Sequence, residues 1–343
     1  MLLRVPDYFE QFRCLAGDCP HTCCAKWEVV IDEDTARRYA AEPGPFGERL
    51  RSVLQRDQEG DLCFPLDGGR CPFLDGENLC EIHRRLGEAA TSVTCREHPR
   101  FTEEYGPFRE ITLSASCPAA NALLLGSRES LTFRETETGG VEEPGDPWLS
   151  WLLPLRQRML EVTGDRSRPL RRRLAEVLAL ALEAQLCLDR EREEDHLAEL
   201  IAGWQPKWTE RAAGGPGLFP EALAYLAELE TLEPEWTALL KQAEQAAPAP
   251  GEEALLERIT AYFLFRYPLK AVNDGDVLGR VQFCVLAVLT VERLAAVCRL
   301  GEALRRFSCE IEHSQENLDR LLEGFWQSET FALERFWNEL SAI

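Results

Sequence analysis

Nine of the thirteen cysteines in this chain of 343 residues fall before residue 118: Cys14, Cys19, Cys23, Cys24, Cys63, Cys71, Cys80, Cys95 and Cys117. The other four, Cys187, Cys284, Cys298 and Cys309, are scattered through the remainder. This asymmetry constrains the fold more than any other feature. The leading segment is broken by Pro20, Pro43, Pro45, Pro65, Pro72, Pro99, Pro107 and Pro118, and by turns at Gly68–Gly69 and Gly76. Only short elements and a thin core fit between such breaks. Thiols sharing a metal are the natural staple for a segment of this kind.

The start of the chain, MLLRVPDYFEQFRC, is interrupted by Arg4, Asp7 and Glu10. It therefore lacks the apolar core of a secretory signal. No stretch approaches the roughly 20 apolar residues of a membrane span. The expectation is a cytoplasmic protein with no membrane partner, in which thiols stay reduced and clustered cysteines bind metal rather than pair as disulfides. The formal net charge of −21 argues against a nucleic-acid partner, which requires a basic stripe. An apolar content of 45% with 28% charged residues is that of a folded globular chain.

Three regions follow. Residues 1–125 form the cysteine-rich segment, with short helices expected at 34–41, 47–56 and 80–87 and short strands at 27–31 and 110–114. Residues 126–147, rich in Gly, Glu and Thr, read as a linker. From residue 148 the period is helical: Leu152, Leu155, Met159 and Val162 share one face, and Leu170, Leu174, Val177, Leu178 and Leu182 another. Further helices are expected at about 235–246, 251–271, 278–300, 301–312, 315–326 and 330–341. The fold class is thus mainly α: an irregular, metal-stapled N-terminal domain followed by an all-α helical bundle at 148–343. No glycine-rich nucleotide fingerprint, nucleophile elbow or His-Glu-x-x-His motif is present.

The candidate metal ligands are Cys14, Cys19, Cys23, Cys24, Cys71, Cys80, Cys95 and Cys117. The first four form C-x4-C-x3-C-C; the rest stand 9 to 22 residues apart. Paired zinc knuckles have tighter spacing, so the pattern is more that of a chain wrapping a [4Fe–4S] cluster, with Zn as the alternative. Adjacent Cys23 and Cys24 do not easily face one metal, and one of them either packs or serves a second site. His21, His83 and His98 lie beside these cysteines as substitute ligands. Cys63 and the four later cysteines read as buried apolar residues.

Several blocks then resemble a known family. Phe12-Arg13-Cys14, Cys19-Pro20, Cys23-Cys24-Ala-Lys-Trp27-Glu-Val-Val-Ile31-Asp32, Cys71-Pro72-Phe73-Leu74, Leu79-Cys80, Cys95-Arg96-Glu-His-Pro99-Arg100 and Ser116-Cys117-Pro118 are similar to the flagellin lysine-N-methylase family. The block from Tyr262 to Asp276 resembles that family's helical half. The cysteine spacing also resembles a wider set of zinc- or iron-chelating proteins. The resemblance implies a [4Fe–4S] protein that moves a methyl group from S-adenosylmethionine to lysine amines of flagellin or another lysine-bearing protein. The contiguous C-x3-C-x2-C motif of radical S-adenosylmethionine enzymes is absent, because Cys19-x3-Cys23 is followed by Cys24, Ala25 and Lys26. The competing reading is a non-enzymatic zinc- or iron-binding adaptor with a helical partner-binding domain.

Methyl transfer by displacement needs a neutral amine and a site for a sulfonium cofactor. Arg100, Arg266 and Lys270 are candidates for the cofactor's carboxylate, and Trp27 for its sulfonium. Tyr262, Asp274 and Asp276 are candidates for the substrate amine. Tyr262, Arg266 and Lys270 at i, i+4 and i+8 are expected on one helix face. No catalytic base is identifiable.

Overall fold

A computed structural model describes all residues except 26–28, 58–59, 140–143, 190–193, 206–214, 248–251 and 342–343. Among the described residues, helices dominate from Leu149 onward and strands are confined to the region before residue 138. The seven strands are β1 (Leu2–Pro6), β2 (Val29–Val30), β3 (Gln55–Arg56), β4 (Leu62–Phe64), β5 (Arg100–Glu104), β6 (Phe108–Leu113) and β7 (Phe133–Glu137).

Two apolar cores organise the chain. The smaller gathers Val29, Ile31, Tyr39, Leu50, Phe64, Phe73, Ile82 and Ala90. It sits on the antiparallel sheet β2-β4-β3 and the helices Glu33–Ala41 and Gly44–Val53. Phe64 and Phe73 pack with ring centroids 4.7 Å apart, and the Tyr39 hydroxyl donates to the Ala90 carbonyl at 2.8 Å. Asp32 caps the Glu33–Ala41 helix by accepting from the Thr35 amide. The helix starts and stops near the places expected from the sequence.

The larger core is built mostly on helices, but residues from both ends of the cysteine-rich segment enter it, including Tyr8, Tyr105, Phe108, Leu113 and Ala120. Phe108 and Leu113 belong to the four-stranded sheet β5-β6-β1-β7 and Ala120 to the Pro118–Leu124 helix, while Tyr8 and Tyr105 follow β1 and β5. In this sheet β1 runs parallel to β6 and antiparallel to β7. The β5–β6 hairpin turns at Gly106, whose φ of +83° suits glycine. The polar stretch at 126–147 is therefore more than a connector. Its β7 strand is the edge of the sheet, with Pro6 opposite Phe133 and Leu2 opposite Glu137. Its charged, exposed pattern hid it from an apolar-alternation search and suits an edge strand.

Sheet and helices are locked by a buried bidentate pair. Arg156 donates to both Glu110 carboxylate oxygens at 2.6 and 2.5 Å and to the Phe265 carbonyl at 2.8 Å. The stacked rings of Phe133 and Phe265 lie 3.9 Å apart beside it. The Leu149–Gly164 and Leu170–Leu188 helices bury the faces expected from their period, including Leu152, Leu155, Met159, Leu174 and Val177. Cys63, Cys187 and Cys284 are buried, whereas Cys298 and Cys309 are partly covered.

Candidate functional site

The cysteines are brought together by short backbone contacts rather than by long elements. An isolated bridge joins Ala25 to Arg70, and the Cys71 amide donates to the Cys24 carbonyl at 2.8 Å. A second bridge pairs Leu74 with Cys80, with the Glu81 amide on the Phe73 carbonyl at 2.8 Å. Cys80 precedes the Glu81–Leu86 helix. Cys95 lies in the Val93–Glu97 helix, capped by the Ser92 hydroxyl, which accepts from the Cys95 amide at 3.2 Å. That helix is anchored by the Val93 amide on Asp32 at 2.9 Å. Cys14 and Cys19 flank the 3-10 turn Ala16–Asp18, where the Ala16 amide donates to the Cys14 thiol at 3.3 Å. Cys117 stands immediately before the Pro118–Leu124 helix.

The thiols shape one another electrostatically. A hydrogen bond links Cys23 and Cys24; it raises the Cys23 pKa and lowers that of Cys24 to about 7. Burial pushes Cys71 up to about 12 and Cys95 to about 11, and it also raises Cys80 and Cys117. The negative charge of Cys24 adds to the rise at Cys71, Cys80 and Cys95; that of Cys19 and Cys14 adds to it at Cys117. A bound cation would reverse this penalty, because thiolates are the ligating form. The donor chemistry therefore fits a soft metal ion or an iron–sulfur cluster. Among the described residues, however, no three His, Cys, Asp or Glu side chains already stand as a group able to hold a metal ion.

The other candidates are distributed unevenly. Trp27 lies outside the described residues. Arg100 opens β5, with its guanidinium 5.6 Å from the Phe12 ring centroid. Tyr262 and Arg266 lie on the Glu253–Arg266 helix, but Lys270 does not share their face. The helix ends at Arg266, and Pro268 opens the 3-10 turn Pro268–Val272, because proline has no amide to continue the α-helical bonding. Lys270 pairs with Glu103. Asp274 pairs with Arg280, and Asp276 caps the Val277–Leu294 helix by accepting from the Gly279 amide at 2.7 Å while also accepting from Trp326 at 3.1 Å.

Tyr262 and Arg266 meet partners that the sequence did not reveal. Arg266, only 7% exposed, pairs at 2.7 Å with Glu312, whose side chain is fully buried. The Tyr267 hydroxyl donates to Glu312 at 3.0 Å and that of Tyr262 at 3.2 Å. The Ala115 amide donates to the Tyr262 oxygen at 3.3 Å, and the Arg266 guanidinium stacks 3.8 Å from the Phe101 ring centroid. Glu312 closes a π-helical turn, Ser308–Glu312, a feature that often marks functional sites. The next residue, His313, has Nε2 at 2.8 Å from the Ser114 hydroxyl and 2.9 Å from that of Ser116. Its ring lies 6.0 Å from His98 and 5.2 Å from Phe101. Burial lowers both histidines to about 4, so both are neutral near pH 7. Ser116 adjoins Cys117, so the network abuts the thiols. Nothing in the local sequence around Glu312 and His313 signals the role; only their placement against Phe101 of β5 and the Ser114–Ser116 segment does.

Comparison with known proteins bears on the same segment. Residues 13–116 match the CxxCxxCC family, described as "Putative zinc- or iron-chelating domain". The CxxCxxCC segment contains seven of the eight candidate ligands and stops one residue short of Cys117. The chain is 26% identical over 142 residues to the flagellar biosynthetic protein FliU of Salmonella muenchen, covering 39% of this chain and 82% of that protein. It is 27% identical over 139 residues to lysine-N-methylases of Salmonella typhimurium and Salmonella choleraesuis, covering 38% of this chain and 34% of each. The match thus spans about a third of the methylases' length. No solved structure matches the chain. No described helix is long and apolar enough to cross a membrane.

Proposed function

We propose that the protein is a metal-dependent protein-lysine N-methyltransferase that uses S-adenosylmethionine and carries a [4Fe–4S] cluster, with flagellin or another lysine-bearing protein as substrate in the cytoplasm. The observation that carries this reading is the similarity to two lysine-N-methylases over 38% of the chain, beside the match of residues 13–116 to a zinc- or iron-chelating domain. S-adenosylmethionine would supply the methyl group, and the cluster would staple the thiol segment or supply one-electron chemistry.

Within this reading the chain's residues have separable tasks. The eight cysteines hold the metal. Arg100, five residues after Cys95 and in space next to Phe12, offers a guanidinium for the cofactor's carboxylate. Arg266 has its charge met by Glu312 and acts as a positioning residue that fixes Tyr262 and the β5 face. Neutral His313, with Nε2 against the Ser114 and Ser116 hydroxyls, helps to hold the same face. Lys270, Asp274 and Asp276 already hold partners and would serve only if those contacts were exchanged.

Two measurements on anaerobically prepared protein decide the matter. Iron with broad visible absorbance, together with lysine methyl increments on co-expressed flagellin by mass spectrometry, supports the proposal. Colourless zinc protein that leaves flagellin unmodified refutes it and favours the non-enzymatic adaptor, a reading that the chelating-domain match supports equally well.

A further inference from the structure

We propose that a cavity between three helices of the larger core is a binding site for a primary alkylammonium, the chemistry shared by a lysine side chain and a free alkylamine. The site is independent of the metal-binding and methyltransferase reading above.

The cavity encloses about 210 Å³ between the start of the Leu170–Leu188 helix, the start of the Glu253–Arg266 helix and the last turns of the Val277–Leu294 helix. Residue spacing makes its wall. Leu170 and Leu174, Glu253 and Leu256, and Val288 and Glu292 stand three or four residues apart, so each helix turns one face to the same space. Leu170, Leu174, Leu256 and Val288 are buried and line it with hydrocarbon. Its polar groups come from Glu253, Glu292 and Arg171. Glu253 stands at the mouth with its side chain 58% exposed, whereas the Glu292 side chain is only 19% exposed.

Size and charge select the ligand. Drug-sized molecules occupy pockets of about 300–1,000 Å³. A cavity of about 210 Å³ takes something smaller, such as a short alkyl chain, and not a nucleoside cofactor. Two carboxylates face one guanidinium. Arg171 pairs with Glu292 at 2.8 Å and also donates to the Glu339 carbonyl at 2.9 Å. Glu253 accepts from the Leu170 amide at 3.3 Å and lies 3.5 Å from Arg173, which is itself paired with Glu257 at 2.7 Å. Burial raises the Glu292 pKa in spite of Arg171, and the negative charges of Glu339 and Glu253 add to the rise. A cation on a hydrocarbon stem offsets that excess negative charge and covers the apolar walls at once. An anion would meet both carboxylates, and a neutral amphiphile would leave the excess charge in place.

The test is calorimetric titration of the full chain with n-butylamine against two controls. Methylamine has the charge without the stem, and n-butanol has the stem without the charge. The net charge of −21 attracts any cation, so methylamine measures that background. The expected result is saturable 1:1 binding of n-butylamine, roughly tenfold or more tighter than either control, and weakened by a similar factor in Glu292→Gln. Glu253→Gln, at an exposed position, should also weaken binding and keeps the test decisive if Glu292→Gln fails to fold. Nα-acetyl-lysine N-methylamide separates the two sources. Binding at least as tight as that of n-butylamine assigns the cavity to a lysine side chain, and weaker binding assigns it to a free amine. No saturable binding of n-butylamine, parity with either control, or unchanged affinity in the folded variants overturns the proposal. Neither metal content nor methyl transfer is read here, so such a failure leaves the methyltransferase reading intact. Conversely, protein that lacks metal or leaves flagellin unmodified but still binds n-butylamine upholds the cavity.

Discussion

At the residue scale the decisive contact is Arg266–Glu312. Both groups are removed from water, and the carboxylate has two tyrosine hydroxyls as further donors. Removing one partner of such a pair strands the other charge, which typically costs roughly 3–5 kcal/mol. Arg266→Met should therefore lower the denaturation midpoint strongly, whereas Glu312→Gln, which keeps an acceptor for the tyrosines, should cost less. Urea titration of both variants ranks them, and equal losses would contradict the account. The histidines beside this pair predict a pH dependence. Folded His98 and His313 titrate near 4, against about 6.5 in an unfolded chain. Between those values the unfolded state binds more protons, so their contribution is present above pH 6.5 and is lost as pH falls toward 4. Glu310 acts oppositely. Burial raises it to about 7, so it favours the folded state at low pH and loses that contribution as pH rises from about 4.5 to 7. His313→Asn should weaken the acid sensitivity seen in denaturant midpoints at pH 7 and pH 5, and Glu310→Gln should sharpen it.

At the element scale the short helices act as brackets for thiols. Asp32 caps one helix through the Thr35 amide and anchors another through the Val93 amide, so a single carboxylate fixes the helix that carries Cys95. Loss of a cap costs about 1 kcal/mol. Asp32→Ala should lower stability by about that much or somewhat more, and should speed metal loss to a chelator, read by the release rate. The sequence located the Glu33–Ala41, Gly44–Val53 and Glu81–Leu86 helices because caps, prolines and apolar spacing are local signals, but not the Val93–Glu97 and Pro118–Leu124 helices. It missed β1, β3, β4 and β5, and also β7, whose exposed charged residues carry no apolar alternation, and it ran one helix through Pro268 by following charge spacing. The π-helical turn that carries Glu312 was invisible, since no local pattern marks it.

At the scale of the whole molecule, two cores of unequal size imply unequal dependence on metal. The small core holds eight buried apolar residues and the large one the bulk of the helical apolar surface. Metal removal should therefore unfold or loosen residues 29–95 selectively. Hydrogen exchange should show protection lost there and retained in the Leu149–Gly164 and Leu170–Leu188 helices; uniform loss would mean that the cores unfold as one. The sequence alone determined that the chain has a thiol-rich, weakly cored front and a helical remainder, because cysteine spacing and apolar period are written in the linear order of residues. Tertiary structure alone decided that β7 completes a sheet with β1 and that Tyr262 and Arg266 belong to a network with Glu312. It also decided that Cys71 and Cys80 pack on the small core and Cys117 on the large one. These depend on which distant segments bury one another, and burial in a folded chain is set by three-dimensional packing that no local pattern records.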